Sequence, residues 1–158
     1  MRTRLLLCAV LLTAGCAPRV KNVTSLPAGV TQQQAQAWDA AVANLNKIAA
    51  TTSTLRQAVV AVRNAGAFPD NGAYSGTLYA LGKIDAAQLS ASAILKQSPQ
   101  NFSASAKQQV AAYVQQISAQ LTVLNAGGVT GIKDANSLQQ INGFIAEIAA
   151  AVQLILAL

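Results

Sequence analysis

The stretch that determines the fold is TQQQAQAWDAAVANLNKIAATTSTLRQAVVAVRNAG, residues 31–66. Its apolar side chains recur at alternating spacings of about three and four residues, the period of an α-helix that buries one face along a partner. That stripe consists of Trp38, Val42, Leu45, Ala49, Thr52, Leu55, Val59 and Val62. The pattern predicts a single amphipathic helix, roughly 50 Å long.

Both ends of this helix carry recognisable signals. Thr31 and Gln34 have the spacing of a capping box, with Thr31 as the N-cap and Gln34 at the third helical position. Gly66 suits the left-handed residue after a helix, and Pro69 lies beyond it. The hydroxyl run from Thr51 to Thr54 is the weak place, because such side chains compete for backbone hydrogen bonds and bend helices.

Three more amphipathic segments follow the turn at residues 68–72. The second helix ends near Gln97, the third has Ser103 as its N-cap and ends at Gly127, and the fourth begins at Asp134 or Ser137. Their apolar stripes are Leu78, Leu81, Ile84, Ala87, Ala91 and Ile94; Val110, Tyr113, Ile117, Leu121 and Leu124; and Leu138, Ile141, Ile145, Ile148, Val152 and Ile155.

The expected fold is all-α, an antiparallel four-helix bundle with up-down-up-down topology over residues 31–158. Strands are not predicted, because alanine and glutamine dominate where β-branched residues would stand. Short links between amphipathic helices favour antiparallel neighbours. The alternative is a three-helix core with one helix splayed or broken into two. Gly76 and Gly82 either weaken the second helix or let a neighbour approach closely.

The start of the chain has the organisation of an export signal. A basic segment, Met1 to Arg4, precedes an apolar run from Leu5 to Leu12 and the small residues Thr13, Ala14 and Gly15. This order is typical of a secretory signal peptide. The apolar run is much shorter than the ~20 residues that span a bilayer, so a transmembrane anchor is not expected.

The segment Leu12-Thr13-Ala14-Gly15-Cys16 resembles the lipobox of bacterial lipoproteins. The resemblance covers only the first sixteen residues, and the domain that follows is not recognised. It implies that residues 1–15 are cleaved, that the thiol of Cys16 receives a diacylglyceryl group, and that the new amino group is acylated, for example with palmitate. Ala17 after the cysteine implies the periplasmic side of the outer membrane. The alternative is an ordinary secreted protein whose cysteine happens to follow the cleavage site.

Residues 16–30 are predicted to be a lipidated N-terminus and flexible tether. Pro18, Pro27 and Gly29 interrupt this segment, which lacks an apolar period. Two or more acyl chains attach a protein stably to a bilayer. A flexible chain of this length has an end-to-end distance of roughly 20 Å, so the bundle is expected just above the headgroups.

Missing residue types argue against catalysis. The chain has no histidine, and its only methionine is Met1, so common ligands of zinc, copper and haem and the commonest general base are missing. The acids after the signal are scattered and form no dyad: Asp39, Asp70, Asp85, Asp134 and Glu147. No phosphate loop or nucleophile elbow is present. We therefore expect no enzymatic activity, no cofactor and no metal.

The net charge argues against a nucleic-acid partner, and the cysteine content argues against a disulfide. Loss of Arg2 and Arg4 with the signal lowers the net charge from +6 to +4, and the remaining charges are thinly spread. Nucleic-acid binding needs a dense basic patch and is not expected. Arg19 and Lys21 either contact anionic headgroups or are solvated tether residues. Since Cys16 is assigned to lipid, no disulfide is expected, and stability depends on a hydrophobic core.

The C-terminal segment, residues 144–158, is apolar almost all round and is interrupted only by Glu147 and Gln153. It is either the most buried helix of the bundle or a helix with an exposed apolar surface. Glu147 is expected to pair with a lysine or arginine. The possible interaction surface consists of the residues partly off the main stripe, Phe144, Leu154, Leu156 and Leu158.

These features predict a lipid-anchored protein of the cell envelope that acts as a structural or protein-interaction module. Its partners would be the membrane, through acyl chains on Cys16, and an envelope protein or a second copy. One alternative is a carrier of an apolar small molecule or lipid between the helices, in a pocket lined by Trp38, Tyr74, Tyr79 or Tyr113. Another is a membrane-active protein that inserts its C-terminal hairpin.

Lipidation of Cys16 is testable by substitution. We expect Cys16→Ser to abolish acylation, because the thiol is the attachment point, and to release the chain from the membrane. Mass spectrometry and membrane fractionation measure both effects. A Cys16→Ser chain that keeps the wild-type mass increment and stays membrane-bound would contradict the assignment.

Overall fold

The computed structural model describes residues 26–68, 70–97, 100–129 and 131–158. These ranges contain helices and turns but no strand, and the prediction of an all-α four-helix bundle is confirmed. The four helices are α1 (Gln32–Asn64), α2 (Asn71–Gln97), α3 (Ala104–Val123) and α4 (Ala135–Leu156).

The end signals of α1 act as predicted. The Thr31 hydroxyl accepts a hydrogen bond from the Gln34 backbone N–H at 3.2 Å, and the Gln34 side chain accepts from the Thr31 N–H at 2.9 Å. Gly66 has a φ of +71°, a conformation that costs glycine little. It allows Ala67 N–H to donate to Val62 O at 3.1 Å, so the last carbonyls are satisfied.

The helices form a four-sided ring. α1 packs against α2 and α4, and α3 packs against the same two helices, so α1 lies diagonally across from α3. α4 packs more extensively along α1 than along α3. The Lys133 N–H donates to Ala67 O at 3.2 Å, which joins the α1–α2 and α3–α4 connections at one end of the bundle.

The opposite end holds the start of α1, the end of α2, the start of α3 and the end of α4. Trp38 Nε1 donates to Leu95 O at 3.0 Å, which ties α1 to α2 there. Lys107 Nζ donates to Leu158 O at 2.9 Å, which ties α3 to the chain after α4. We call this the tether end, because the predicted tether joins the bundle at Thr31.

The core runs along the centre of the ring. Its largest fully buried side chains come from all four helices and from the turn after α3: Leu45, Ile48, Leu55, Leu81, Ile84, Ile117, Leu124, Ile141, Ile148, Val59, Val110 and Val114. Tyr113, predicted in the α3 stripe, is only half-buried, while Val114 is fully buried. A Cβ added at Gly76 or Gly82 would meet no atom within 4 Å, so the predicted close approach is wrong.

Two further details differ from expectation. α3 ends in a π-helical turn, Leu124–Gly128, closed by Val129 N–H donating to Leu124 O at 3.3 Å. The α1 helix is continuous through the hydroxyl run, and Thr51 and Thr52 are buried in it. Thr52 is completely buried, and its Oγ1 makes no hydrogen bond with any described residue.

The buried hydroxyl of Thr52 predicts a stabilising substitution. Thr52→Val keeps the side-chain shape and removes an unsatisfied polar atom, so we expect the free energy of unfolding to rise by about 1–2 kcal/mol. Denaturant unfolding measures this. The control is Thr54→Val, because Thr54 is exposed and its hydroxyl donates to Ala50 O at 3.1 Å. A Thr52→Val chain no more stable than wild type would contradict the prediction.

Candidate functional site

The C-terminal helix positions the candidate surface. α4 begins with Asp134 as N-cap, whose carboxylate accepts a hydrogen bond from the Ser137 backbone N–H at 2.7 Å. The alternative start at Ser137 is therefore wrong. Only six of its 22 residues are buried: Ile141, Ile145, Ile148, Ala151, Val152 and Ile155. α4 is thus not the most buried helix, since α1 buries ten of 33 residues.

α4 contains more apolar residues than it buries in the core. Among the described residues it is the one helix long and apolar enough to cross a membrane, yet only 33% of its most apolar stretch is buried. The core helix of a soluble protein can be equally long and apolar, and the isoleucine stripe accounts for part of the apolarity of α4. The remaining apolar surface of α4 lies on the outside of the bundle.

Three of the four predicted surface residues are exposed. Leu154 is 58% exposed, Leu156 37% and Leu158 38%. Phe144 differs, because it is half-buried and packs against the core. Ile141 and Ile148 lie three and four residues away on the same helix face, so Phe144 flanks the buried stripe.

The side of α4 opposite the isoleucines carries no charge. We define the outer face of α4 by residues that share this side and are all exposed: Gln139, Gly143, Ala146, Ala150, Gln153 and Leu154. The nearest charge is Glu147 at its flank, which pairs with Lys47 at 3.2 Å. This confirms the expected pairing of Glu147, although its side chain remains 42% exposed rather than buried.

A cleft of about 180 Å³ lies at the tether end, between the start of α3 and the end of α4. Lys107 Nζ lies at 5.4 Å from the centroid of the Phe102 ring as well as donating to Leu158 O. We call it the terminal cleft, and its lining residues are Phe102, Lys107, Gln108, Val110, Ala111, Ile155, Leu156 and Leu158.

The terminal cleft was not predicted from sequence, but a signal for it exists. Phe102 precedes the N-cap Ser103, and Lys107 is the fourth residue of α3. These are the two positions of a hydrophobic staple, in which the side chains before and after the cap meet. Recognition of this spacing would have placed Phe102 against the first turns of α3.

Other clefts lie between elements of the described ranges. A groove of about 220 Å³ between α1 and α2, the Trp38 groove, is lined by Trp38, Val42, Asn46, Gln88, Leu89, Ser92, Leu95 and Lys96. One of about 270 Å³ lies between α2 and α3 beside Lys83 and Tyr113. A third, of about 420 Å³, lies between the π turn and α4 beside Asn125 and Asn142.

The aromatic side chains do not converge on one pocket. Trp38 is buried at the tether end, while Tyr74 lies at the start of α2 with its ring 5.5 Å from that of Phe68. Tyr79 is 66% exposed, and Lys83 Nζ lies 5.2 Å from its ring centroid. Trp38 and Tyr113 line different clefts, so these aromatic residues do not share one pocket.

The acidic residues also stay apart. Asp85 pairs with Arg56 of α1, and Asp70 accepts a hydrogen bond from the Ala73 backbone N–H at 2.7 Å at the start of α2. Within the described ranges, no group of three or more acidic, cysteine or histidine side chains is placed to hold a metal ion.

The predicted signal peptide, Cys16 and the first part of the tether lie outside the described residues. Of the tether, residues 26–30 are described, and Val30 N–H donates to Pro27 O at 3.1 Å in a turn with Gly29 at a φ of +81°. Leu26 is 46% exposed.

No protein-family model matches the chain, and comparisons with curated proteins and with solved structures find no match either.

The N-cap of α4 predicts a pH dependence. Hydrogen bonds from the Ser137 side chain and backbone N–H lower the pKa of the Asp134 carboxyl below its usual value. Because the folded-state pKa is depressed, this stabilisation is present above the unfolded pKa, near pH ~4, and is lost as pH falls through the folded pKa.

We expect Asp134→Asn to reduce the loss of unfolding free energy between pH 6 and pH 3, because the amide caps without titrating. Denaturant unfolding at the two pH values measures this. Asp39→Asn is the matched control, since Asp39 lies within α1 rather than at a cap. An Asp134→Asn chain as acid-sensitive as wild type would contradict the assignment.

Proposed function

We propose that this chain is a lipid-anchored helical protein of the cell envelope that acts as a structural or protein-interaction module. The observation that carries the proposal is the outer face of α4, an exposed and uncharged surface on the most apolar helix of the bundle. Its protein partner is an envelope protein or a second copy of the chain.

The outer face of α4 has the properties of an interface centre. Such centres are depleted of charged residues and enriched in large apolar anchors. Leu154 supplies a large side chain that is 58% exposed. Gly143, Ala146 and Ala150 leave a shallow surface beside it, and a Cβ built at Gly143 would meet no atom within 4 Å. A partner helix can therefore approach the backbone of α4 closely.

The lipid anchor is supported by the lipobox-like sequence ending at Cys16 and by the tether that follows it. Two or more acyl chains hold a protein stably at a bilayer. With Ala17 after the cysteine, we place the bundle at the periplasmic side of the outer membrane. In this position the module meets its partner along the membrane surface rather than in free solution.

The partner surface is testable by photo-crosslinking in intact envelopes. With a photoreactive residue at Ala146, we expect one defined protein adduct, and we expect Leu154→Glu to reduce its yield at least tenfold, because the substitution buries an unpaired charge. Denaturing gels and mass spectrometry measure the yield and identify the adduct, and an adduct of twice the chain mass identifies a second copy.

The matched control is Leu89→Glu, because Leu89 is a leucine of α2 that is 65% exposed and lies outside the outer face of α4. It is expected to leave the yield unchanged. Equal yields from the wild type and the Leu154→Glu chain, both folded by circular dichroism, would refute the role of this face.

A carrier function is the second candidate, and the Trp38 groove favours it. Trp38, Val42 and Leu95 provide apolar walls, and Lys96 adds a cation. Its volume of about 220 Å³ is below the roughly 300–1,000 Å³ of typical ligand pockets, which is why we rank this function second. A lipid or another hydrophobic compound that copurifies, detected by native mass spectrometry, would favour the carrier function.

A further inference from the structure

We propose that the terminal cleft binds an anionic phospholipid of the bilayer surface. This inference depends on the membrane anchoring in the proposed function, and it adds an orientation: the bundle stands on its tether end. The outer face of α4 above the last turn then remains free for the protein partner.

Position is the first argument. The predicted tether leads from Cys16 to Thr31, and Thr31 lies at the same end of the bundle as the terminal cleft. A flexible segment of this length spans roughly 20 Å, whereas the other end of the bundle lies about 50 Å farther away along α1. A Cys16 anchor thus holds the terminal cleft within reach of headgroups and keeps the α1–α2 connection away from them.

The chemistry of the cleft fits a phospholipid. Leu156 and Leu158 present apolar side chains that are 37% and 38% exposed, and Phe102 lies beneath them. Apolar side chains of this kind insert among the upper acyl chains. The Lys107 ammonium stands at the rim, and an ammonium has three donors, of which one is used by Leu158 O. The remaining donors are available to a phosphate oxygen.

The charge at this end complements an anionic surface. Lys96 and Lys107 lie at the tether end, and among the described residues Asp39 is the acidic side chain nearest to it along the helices. The tether adds Arg19 and Lys21 by sequence. Basic residues near an anionic membrane contribute about 1 kcal/mol each, so these cations favour a surface rich in anionic lipid.

The test uses the chain from Ala17 to Leu158, which lacks the acylated cysteine. Among the described residues, the buried core side chains lie between Ala35 and Ile155, so this chain keeps all of them. We expect it to float with phosphatidylcholine vesicles that contain phosphatidylglycerol and to bind vesicles of phosphatidylcholine alone at least fivefold more weakly. No flotation with the anionic vesicles, or equal binding to both, would overturn the proposal.

Matched variants locate the binding surface. Lys107→Gln is expected to weaken binding about fivefold, the equivalent of ~1 kcal/mol per basic residue. Lys83→Gln makes the same change of charge on α2, away from the tether end, and is expected to have a smaller effect. An equal loss of vesicle binding in the two lysine variants would show a general effect of charge. It would overturn the proposal that the terminal cleft binds lipid.

The leucines are tested in the same way. Leu156→Ser combined with Leu158→Ser is expected to weaken binding at least tenfold, while Val123→Ser, at an exposed position in the last turn of α3 and away from the tether end, leaves it unchanged. Circular dichroism and thermal melting check that each variant is folded. If the double variant is folded and binds like wild type, the cleft does not bind lipid.

The vesicle-binding experiment and the test of lipidation at Cys16 can succeed or fail independently. Vesicle binding by the chain without Cys16 supports the cleft whether or not the native cysteine is acylated. The mass of the native chain decides acylation whether or not the cleft binds lipid.

Discussion

Packing of α4 along α1 is the interaction on which the rest of the structure depends. The isoleucines of α4, with Ile148 completely buried, meet the buried side of α1, where Ile48 and Val59 are also completely buried. Burial of apolar area contributes about 25 cal/mol per Å². The ion pairs Lys47–Glu147 and Arg56–Asp85 are part-exposed, and such pairs contribute at most about 1 kcal/mol each. Stability therefore comes from hydrophobic burial.

The antiparallel ring that follows from this packing places the functional features. It brings the start of α1 and the end of α4 to one end, where Lys107 reaches Leu158 O. A lipid on Cys16 would hold that end toward the bilayer. Because α4 faces the core with its isoleucines, none of the described helices covers its opposite side. The same helix thus supplies part of the core, the proposed partner surface and the proposed membrane-facing end.

Much of the fold could be predicted because it depends on local signals: the apolar period, the Thr31 capping box and the Gly66 terminus. Tertiary packing decided the rest. Val114 rather than Tyr113 is fully buried in α3, which packs between α2 and α4. The π turn at Leu124 has no local signature. Exposure of Leu154, Leu156 and Leu158 depends on which sides of α4 have neighbours, and a helix with apolar residues almost all round does not indicate this.

We propose that a lipid on Cys16 holds the bundle upright on its tether end. The height of the last turn of α1 above the membrane distinguishes this orientation from one in which the bundle lies flat. The full lipidated chain, with a donor dye on a cysteine at Asn64 in the last turn of α1, is inserted into vesicles that carry acceptor-labelled headgroups. Energy transfer then reports the height of Asn64 above the membrane. The upright orientation predicts a height of at least about 50 Å, the length of α1. A height near 10–20 Å, about the width of one or two helices, would show that the bundle lies flat and would contradict it.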